Sequence, residues 1–228
     1  MKKIVTYGNC SYCSKDYDGI NMTKHLESCK KRKNFYLKIL KNNKSSDNKN
    51  IIFLLKISSK YYPEYWIFIE SDGRSKLKDI DKFLRDTWLE CCGHLSDFTI
   101  NGKRYETGKG MSIPVSSIFQ PGMNLDYIYD YGSSTELVIG VISDRPGKIL
   151  SNKKNEKIKL VARNNTLVFK CAKCKKEDAS KICTICIHEK DRNKASFCDN
   201  CVQHHKCGEE MMSPIVNSPR SGECGYEG

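Results

Sequence analysis

The sequence predicts an α+β fold with a mainly antiparallel sheet and a packed amphipathic helix, flanked at each end by a small cysteine-rich module. Three observations predict it: apolar runs of strand length in the middle of the chain, one helical apolar repeat between them, and cysteine pairs near the two ends. A chain of 228 residues has room for one mid-sized domain with such appendages.

The first half of the predicted domain is a hairpin followed by a helix. Residues 51–58 (IIFLLKIS) and 65–70 (YWIFIE) are apolar and rich in β-branched and aromatic side chains, which favours two strands joined by a short connection. The next segment, 77–91, has apolar residues at helical spacing. We expect this amphipathic helix to pack on the sheet.

The second half is expected to be mostly strand. The pair Asn101-Gly102 favours a tight hairpin turn, and residues 108–122 are irregular apart from one short predicted helix. Residues 125–131 and 136–143 form a strong strand pair, and 156–164 adds a further strand. The predicted α+β domain therefore spans residues 51–165.

Charge is unevenly distributed along the chain. The formal net charge is +12 at pH 7, but residues 51–150 are nearly neutral, with 12 Lys or Arg against 13 Asp or Glu. Residues 1–50 carry 12 Lys or Arg against 4 Asp or Glu, and residues 151–228 carry 15 against 10. The basic excess is therefore strongest in the first fifty residues.

Residues 1–34 have the ligand spacing of a zinc finger. The pattern is Cys10-x2-Cys13-x11-His25-x3-Cys29. A CxxC turn presents two thiolates to one ion, and a His/Cys pair one helical turn apart completes a tetrahedron. The pattern resembles a ββα finger with Cys as the last ligand. Unliganded thiols with this spacing are the alternative.

A basic run continues the predicted finger helix, and it consists of Lys30, Lys31, Arg32 and Lys33. Basic helix residues can contact phosphates and release counterions, so this run is the predicted nucleic-acid-binding segment. A solvated helix face is the alternative, and one finger alone reads only about three base pairs. Residues 35–50 start as a candidate continuation of this helix and then become rich in Asn, Lys and Ser, which predicts a flexible linker and an independently moving finger.

Residues 166–228 are predicted to form a double-zinc module and tail. Four ligand pairs lie there: Cys171/Cys174, Cys183/Cys186, Cys198/Cys201 and His205/Cys207. Eight ligands fill two tetrahedra, and the spacing resembles cross-brace modules such as B-box, MYND and RING domains. In that order pairs one and three bind one zinc and pairs two and four bind the other. Three zinc ions per chain are therefore expected in all.

The eighth ligand is the least specified. His204, His188 and Cys224 are alternatives to His205. A site with four protein ligands has no open position for water, so all three predicted sites are expected to be structural rather than catalytic. Cysteines kept available for metal indicate a reducing, cytoplasmic location, with a secreted disulfide module as the alternative.

Two central segments, 77–106 (LKDIDKFLRDTWLECCGHLSDFTINGKRYE) and 123–142 (MNLDYIYDYGSSTELVIGVI), resemble the plasmid pRiA4b open-reading-frame-three-like family. The resemblance rests on a His94-Leu95-x-x-Phe98 segment after a helix and on a later Tyr-Asp-Tyr-Gly turn, and the tail 214–228 resembles that of zinc-containing members. It implies an α+β domain of plasmid, transposon-associated and archaeal or bacterial proteins, without an established activity. Ser133 and its neighbours stand where members often have Asp and Trp.

Catalysis is the least favoured interpretation of the central polar residues, which are His94, Asp97, Asp126 and Asp130. A histidine with carboxylates can act as a general base or hold a metal, but a helix-capping role for His94 and turn or solvent-facing positions for the acids are the stronger interpretation. No nucleophile motif, phosphate loop or HExxH element is present in the sequence. Cys91 and Cys92 are expected at the core boundary, with a redox role as the alternative.

The functional hypothesis is a non-enzymatic zinc-binding protein of prokaryotic mobile elements. Its expected partner is nucleic acid, contacted through the basic N-terminal region. A protein-interaction module that docks through the zinc modules is the alternative. No membrane partner is expected, since no apolar run reaches about 18 residues.

Overall fold

The computed structural model describes residues 5–42, 50–149 and 156–228. The chain divides into two compact units. The first unit consists of Met1–Leu84 with Leu95–Asn165, and the second of Arg85–His94 with Thr166–Gly228.

Among the described residues, the first unit contains nine strands. They are β1 (Tyr7–Cys10), β2 (Asp16–Asp18), β3 (Ile51–Ser59), β4 (Trp66–Asp72), β5 (Ser96–Ile100), β6 (Lys103–Glu106), β7 (Asn124–Tyr129), β8 (Thr135–Pro146) and β9 (Ile158–Asn164). They form one sheet in the order β2-β1-β9-β4-β3-β8-β7-β5-β6, and each pairing is antiparallel. The predicted hairpin of β3 and β4 is present, with Leu55 opposite Ile69.

Three α-helices of the first unit are described: α1 (Gly19–Ser28), α2 (Lys30–Asn42) and α3 (Leu77–Leu84). Two short 3-10 turns, Lys109–Ser112 and Val115–Ser117, lie in the segment predicted to be irregular. In α3 the buried side chains Leu77, Ile80 and Leu84 recur at helical spacing, which is the predicted amphipathic pattern. The predicted α+β fold with a mainly antiparallel sheet is therefore confirmed.

The N-terminal region is joined to the sheet. β1 pairs with β9, with Gly8 opposite Asn164, so the strands of the predicted finger extend the central sheet. This differs from the predicted separate finger at 1–34, because an unpaired strand edge on β9 offers hydrogen bonds that a free finger would leave unused. α2 also replaces the first part of the predicted linker at 35–50, while residues 43–49 lie outside the described residues.

The second unit is built from short elements. It contains a π-helical turn (Arg85–Leu89), a three-stranded antiparallel sheet and three helices of four residues each. The sheet has the order β11-β10-β12, with β10 (Lys181–Cys183), β11 (Ser196–Phe197) and β12 (Met212–Pro214); the helices are α4 (Cys186–Glu189), α5 (Arg192–Ala195) and α6 (Asp199–Val202). Segment 85–94 belongs here, although the sequence suggested one domain from 51 to 165.

Candidate metal centres

All thirteen cysteines and three of the five histidines gather into four groups of metal-ligand side chains. Within each group the four ligand atoms lie within 4.8 Å of one another, so each group can hold a metal ion. They are the N-terminal group (Cys10, Cys13, His25, Cys29), the first C-terminal group (Cys171, Cys174, Cys198, Cys201), the second C-terminal group (Cys183, Cys186, His205, Cys207) and the fourth group (Cys91, Cys92, His94, Cys224).

The N-terminal group forms where a strand end meets a helix. β1 ends at Cys10, and Cys13 lies in the turn that follows. α1 carries His25, whose Nε2 lies 3.2 Å from Cys13 Sγ, and Cys29 follows the last residue of α1. The His25 ring stacks on Tyr17 with the ring centroids 4.0 Å apart, which fixes the imidazole in the site.

Packing on the sheet fixes the helix that supplies His25. The Asp18 carboxylate caps α1 by accepting from two N–H groups of its first turn, at 2.9 Å and 3.0 Å. Met22 and Leu26, one turn apart, are fully buried in a cluster that includes Trp66 and Val161. The orientation of α1 therefore depends on apolar contacts as well as on its ligands.

Burial shifts the pKa values of a thiol ligand and of the imidazole ligand of the N-terminal group in opposite directions. It raises the pKa of Cys10 to about 11, and it lowers the pKa of His25, with a further contribution from the charge of Lys15. A neutral imidazole can bind a metal directly, whereas a buried thiol must first lose its proton. A bound cation favours the thiolate, so these donors fit a thiophilic divalent cation.

The first C-terminal group joins two CxxC turns. Cys198 caps α6 and Cys201 lies within it, and Cys174 Sγ lies 3.9 Å from Cys198 Sγ. Although burial raises the pKa of Cys171, hydrogen bonds from the N–H groups of Cys198, Cys174 and Lys173 lower it to about 6. The backbone here is thus arranged to stabilise a thiolate, the form that binds metal.

The second C-terminal group brings the end of β10 to the start of α4. Cys186 Sγ lies 3.5 Å from His205 Nε2 and 3.8 Å from Cys207 Sγ, and the N–H of Cys186 donates to Cys183 Sγ at 3.4 Å. The His205 ring packs on Phe197 with the centroids 4.3 Å apart. Burial, followed by nearby lysine charges, lowers the pKa of His205 and keeps the ring neutral for a metal.

The ligand pairs of the C-terminal region interleave, because the structure joins pairs one and three and pairs two and four. Of the alternatives for the eighth ligand, His204 is exposed and belongs to none of the four groups. His188 is also exposed, with Nε2 3.7 Å from a carboxylate oxygen of Glu223. The structure therefore places His205 in the ligand position and leaves Cys224 to another group.

The fourth group was missed by sequence reasoning. Cys91, Cys92 and His94 are local to one turn, but Cys224 follows His94 by 130 residues, so no short spacing motif contains all four. The local signal was a Cys-Cys-Gly-His run next to a predicted helix end. This run identifies a site only after the cysteines of the other three groups have been set aside, because Cys224 is then the single cysteine left to pair with it.

The catalytic hypothesis needed His94 beside the central carboxylates, and the structure gives these groups other partners. Asp97 Oδ2 accepts from Arg104 Nη2 at 2.7 Å and from the Tyr131 hydroxyl at 2.9 Å. His94 instead joins three cysteines of the second unit. Asp97 is thus an ion-paired group and His94 a candidate metal ligand, which gives no support to the least favoured interpretation, that of His94 as a general base.

The basic run at the start of α2 contains two kinds of side chain. Lys30, Lys31 and Lys33 are exposed. Arg32 is only 7% exposed, and its Nη2 lies 2.7 Å from Glu70 Oε1. The prediction that Arg32 binds nucleic acid is therefore corrected, since the helical period turns this one residue of the run toward the sheet.

Arg32 belongs to a buried cluster around Glu70, which we call the Glu70 cluster. Glu70 is fully buried on β4 and accepts from Arg145 Nη2 at 3.2 Å, from the Tyr12 hydroxyl at 3.2 Å and from the Tyr36 hydroxyl. Burial raises the pKa of Glu70, but the charges of Arg145 and Arg32 outweigh it and lower the pKa. An ionised Glu70 therefore fastens α2 to the sheet.

The fold and sites define a class: an α+β protein with several Cys/His groups that can hold metal. No family model matches the chain, and no curated protein matches it. One similar solved structure is a protein of unknown function, MM3350, from Methanosarcina mazei Go1, with 18% identity and a TM-score of 0.38. The match covers 46% of this chain and 66% of that one, just under two thirds of its length.

No helix in the described part of the chain combines the length and the apolar character needed to cross a membrane.

Proposed function

We propose that this protein is a non-catalytic zinc-binding protein in which the N-terminal and both C-terminal groups each hold one zinc ion, while the exposed start of α2 contacts nucleic acid. The observation that carries the zinc assignment is the convergence of four thiol or imidazole donors to within 4.8 Å in each group. Thiolate and imidazole ligands in a tetrahedron are the set that Zn²⁺ favours in structural sites.

The same geometry supports a structural role for the metal. Each of the three sites supplies four protein ligands, and a tetrahedral ion with four protein ligands has no position for a substrate or an activated water. The ligands also come from different elements: the second C-terminal group joins the end of β10, the start of α4 and the loop after α6. Zinc bound there would connect short segments that otherwise meet in one small apolar cluster.

Contact with nucleic acid is supported by the way α2 is held. Lys30, Lys31 and Lys33 are exposed on its first turns, and the helix contains no acidic residue. The Arg32–Glu70 ion pair fixes the same turn to the sheet. The three lysines therefore form a basic surface on a fixed helix, and less side-chain and backbone entropy is lost on binding than for a flexible tail.

Metal analysis tests the zinc assignment directly. Protein purified under reducing conditions without a metal-binding tag is expected to contain at least three zinc ions per chain. Substitution Cys13→Ser or Cys183→Ser should each lower the content by one ion or more, whereas His204→Ala should leave it unchanged. A wild-type content of one ion or none would overturn the assignment.

A salt titration tests the nucleic-acid half. The triple variant Lys30→Gln, Lys31→Gln, Lys33→Gln is expected to bind single- and double-stranded oligonucleotides more weakly and to reduce the slope of log affinity against log salt by up to about 3. The matched control neutralises three other exposed lysines of the first unit, Lys78, Lys103 and Lys109.

The control variant loses the same formal charge. Its slope of log affinity against log salt is expected to differ from the wild-type slope by no more than about 1, the value of one phosphate contact. If both variants lose the same affinity for the oligonucleotides, binding depends on net charge alone, and the assignment of the nucleic-acid contact to α2 would be wrong. No binding by the wild type at low salt would remove the nucleic-acid proposal and leave the zinc assignment in place.

Protein docking through the zinc modules is the second candidate, and one observation favours it. Ile185 lies in the turn between Cys183 and Cys186 and is 42% exposed, so a metal-ligand turn presents an apolar side chain to solvent. A partner whose capture is lost in Ile185→Ser and kept in the triple lysine variant would favour docking. We place either function in a prokaryotic, mobile-element context, which rests on the motif resemblance of residues 77–106, 123–142 and 214–228, and in the cytoplasm, which rests on the cysteines kept available for metal.

A further inference from the structure

The fourth group lies wholly in the second unit, outside the three sites on which the proposed function rests. Its ligand atoms are close: Cys92 Sγ lies 2.9 Å from His94 Nε2, 3.5 Å from Cys91 Sγ and 3.6 Å from Cys224 Sγ. His94 Nε2 lies 3.3 Å from Cys224 Sγ. Four soft donors therefore face one another across a space of the same size as in the other groups.

The sulfur–sulfur distances of this group fit an ion better than they fit a disulfide, whereas the 2.9 Å between Cys92 Sγ and His94 Nε2 is shorter than two ligands of one zinc ion would have. With Zn–S and Zn–N bonds of about 2.3 Å and 2.0 Å, ligand atoms of a tetrahedral site lie roughly 3.5–3.8 Å apart. A disulfide requires sulfurs at about 2.05 Å. The sulfur–sulfur separations of 3.5 Å and 3.6 Å match the first geometry. In the second C-terminal group the sulfur–sulfur separation of Cys186 and Cys207 is 3.8 Å, and Cys186 Sγ lies 3.5 Å from His205 Nε2.

The backbone is shaped to turn these donors inward. Gly93 has φ of +78° and lets the chain reverse between Cys92 and His94, and its N–H donates to Glu90 Oε1 at 2.6 Å. Cys224 itself has φ of +48°, a left-handed conformation that a residue other than glycine adopts at a cost. A metal-ligand bond at Cys224 would offset that cost.

A buried arginine supports the group from behind. Arg220 is fully buried and donates from Nη2 to Cys91 Sγ at 3.3 Å. The tail that carries it is fastened by Ser218, whose hydroxyl donates to the carbonyl of Trp88 at 2.6 Å. Three thiolates around a divalent ion leave a net charge of −1, and the Arg220 guanidinium supplies the compensating positive charge.

The fourth group is also the most accessible of the four. Cys92 and Cys224 are exposed and neither of the other two members is buried, whereas each of the other groups has two buried ligands. Solvent and a competing chelator can therefore reach this site first. Its ligands come from residues 91–94 and from the tail, 130 residues later in the chain, so an ion there would cross-link the tail.

We propose that Cys91, Cys92, His94 and Cys224 bind a fourth zinc ion, which fastens the tail at 214–228 to segment 85–94 and exchanges with solvent before the other three ions. This inference extends the zinc binding of the proposed function by one site, and it makes that site the labile one. Loss of this ion alone would free the part of the tail around Cys224, with the Ser218 and Arg220 contacts still in place, and would leave the other three sites loaded.

Metal content combined with chelator kinetics tests the proposal. The full chain, loaded with zinc under reducing conditions, is expected to contain four zinc ions and to release one to a colorimetric chelator in an early phase. Cys224→Ser should contain three ions and lack the early phase. His94→Ala should behave in the same way, and His204→Ala, the matched control, should keep four ions and the early phase.

The outcomes separate this inference from the proposed function. Three ions in the wild type, unchanged in Cys224→Ser, would overturn the fourth site and leave the proposed function standing; fewer than three would count against both. Four ions released in a single phase would overturn the lability. If either variant fails to fold, hydrogen exchange of wild-type tail amides decides: removal of the early ion should speed their exchange at least tenfold, and an unchanged rate would overturn the cross-link.

Discussion

The first unit has an extensive apolar core, whereas cysteines of the candidate metal centres make up a large part of the small core of the second. In the first, the nine-stranded sheet buries β4 along its whole length, and the N-terminal group lies near one end of the strand order. In the second, four of the nine buried residues of the apolar cluster are cysteines of the two C-terminal groups. Removing metal should therefore affect the two units very differently.

Element length explains the difference. The described helices α4 to α6 have four residues each, and isolated helices shorter than about 12 residues are marginal in water. Structural zinc supplies apparent binding free energies of about 10–16 kcal/mol in small fingers, comparable with the whole stability of a domain. If its groups hold the proposed zinc ions, the second unit can fold around them with a small core, while the first has a core of its own.

The largest effect is expected from removing metal in each unit by one matched substitution. Cys183→Ser should unfold the second unit, because its short elements lose the ion that joins them. Cys13→Ser should loosen α1 but leave β3 and β4 protected, because Met22 and Leu26 still pack on the sheet. Hydrogen exchange resolved by segment measures both. If β3 loses the same protection from hydrogen exchange in both variants, the proposed difference in metal dependence between the two units would be wrong.

The next largest effect is expected from the Glu70 cluster. Glu70→Gln removes the negative charge between Arg32 and Arg145 and leaves the buried Arg32 and the half-buried Arg145 without that counter-charge, which should cost the first unit about 3 kcal/mol. Urea unfolding of the first unit measures it. The matched control, Glu136→Gln, breaks the more exposed pair with Lys60 and should cost less than about 1 kcal/mol.

The pH dependence of the same variant gives an independent check. Because the folded pKa of Glu70 is lowered, its contribution is fully present above the unfolded value of about 4.3 and is lost as the pH falls through the folded pKa. The wild type should therefore lose stability below pH of about 4.3 more steeply than Glu70→Gln. Parallel curves for the two proteins would show that Glu70 does not carry the charge assigned to it.

The sequence predicted local features well and long-range partners poorly, for a physical reason. The hairpin of β3 and β4, the amphipathic α3 and the CxxC turns all depend on neighbours a few residues apart, which periodicity and spacing report. The fourth group and the Glu70 cluster join residues separated by 130 and 38 positions, and no local pattern encodes such a partner. The prediction that Arg32 binds nucleic acid was wrong because four consecutive basic residues do not show which of their side chains faces the sheet.

A glycine at the joint between β1 and the sheet gives the third prediction. A Cβ on Gly8 would lie 2.0 Å from the carbonyl oxygen of Arg163 and 2.6 Å from the Trp66 ring, so Gly8→Ala must push β1 away from β9. We expect a loss of roughly 1–3 kcal/mol, measured as a lower midpoint of urea unfolding of the first unit.

The control for this substitution is Gly110→Ala, whose Cβ would meet its nearest atom at an ordinary 3.4 Å. It should change stability by no more than about 0.5 kcal/mol. If Gly8→Ala and Gly110→Ala unfold at the same urea concentration, β1 contributes nothing to the sheet, and the predicted independent finger would describe the N-terminal region better than a strand of the first unit.

The smallest effect is expected at the cap of α1, where packing and metal binding can be separated within one unit. Asp18→Ala removes the carboxylate that accepts from the first turn and should cost about 1 kcal/mol. Backbone hydrogen bonds, led by that from Asn21, lower the pKa of Asp18, so this contribution is present above about pH 3.9 and lost as the pH falls through the folded pKa. The control is Asp16→Ala, an exposed aspartate of β2.

Zinc affinity of the N-terminal group provides the second readout of the cap. If α1 is held chiefly by Met22 and Leu26, Asp18→Ala should lower stability while changing zinc affinity by less than about tenfold, since a loss of 1.4 kcal/mol is tenfold. A larger fall in affinity would mean that the cap, rather than the sheet, positions His25. The ligands of the N-terminal group would then be positioned by local contacts rather than by packing on the sheet, as we expect for the C-terminal groups. The two units would then differ in their sheets but no longer in how their metal ligands are positioned.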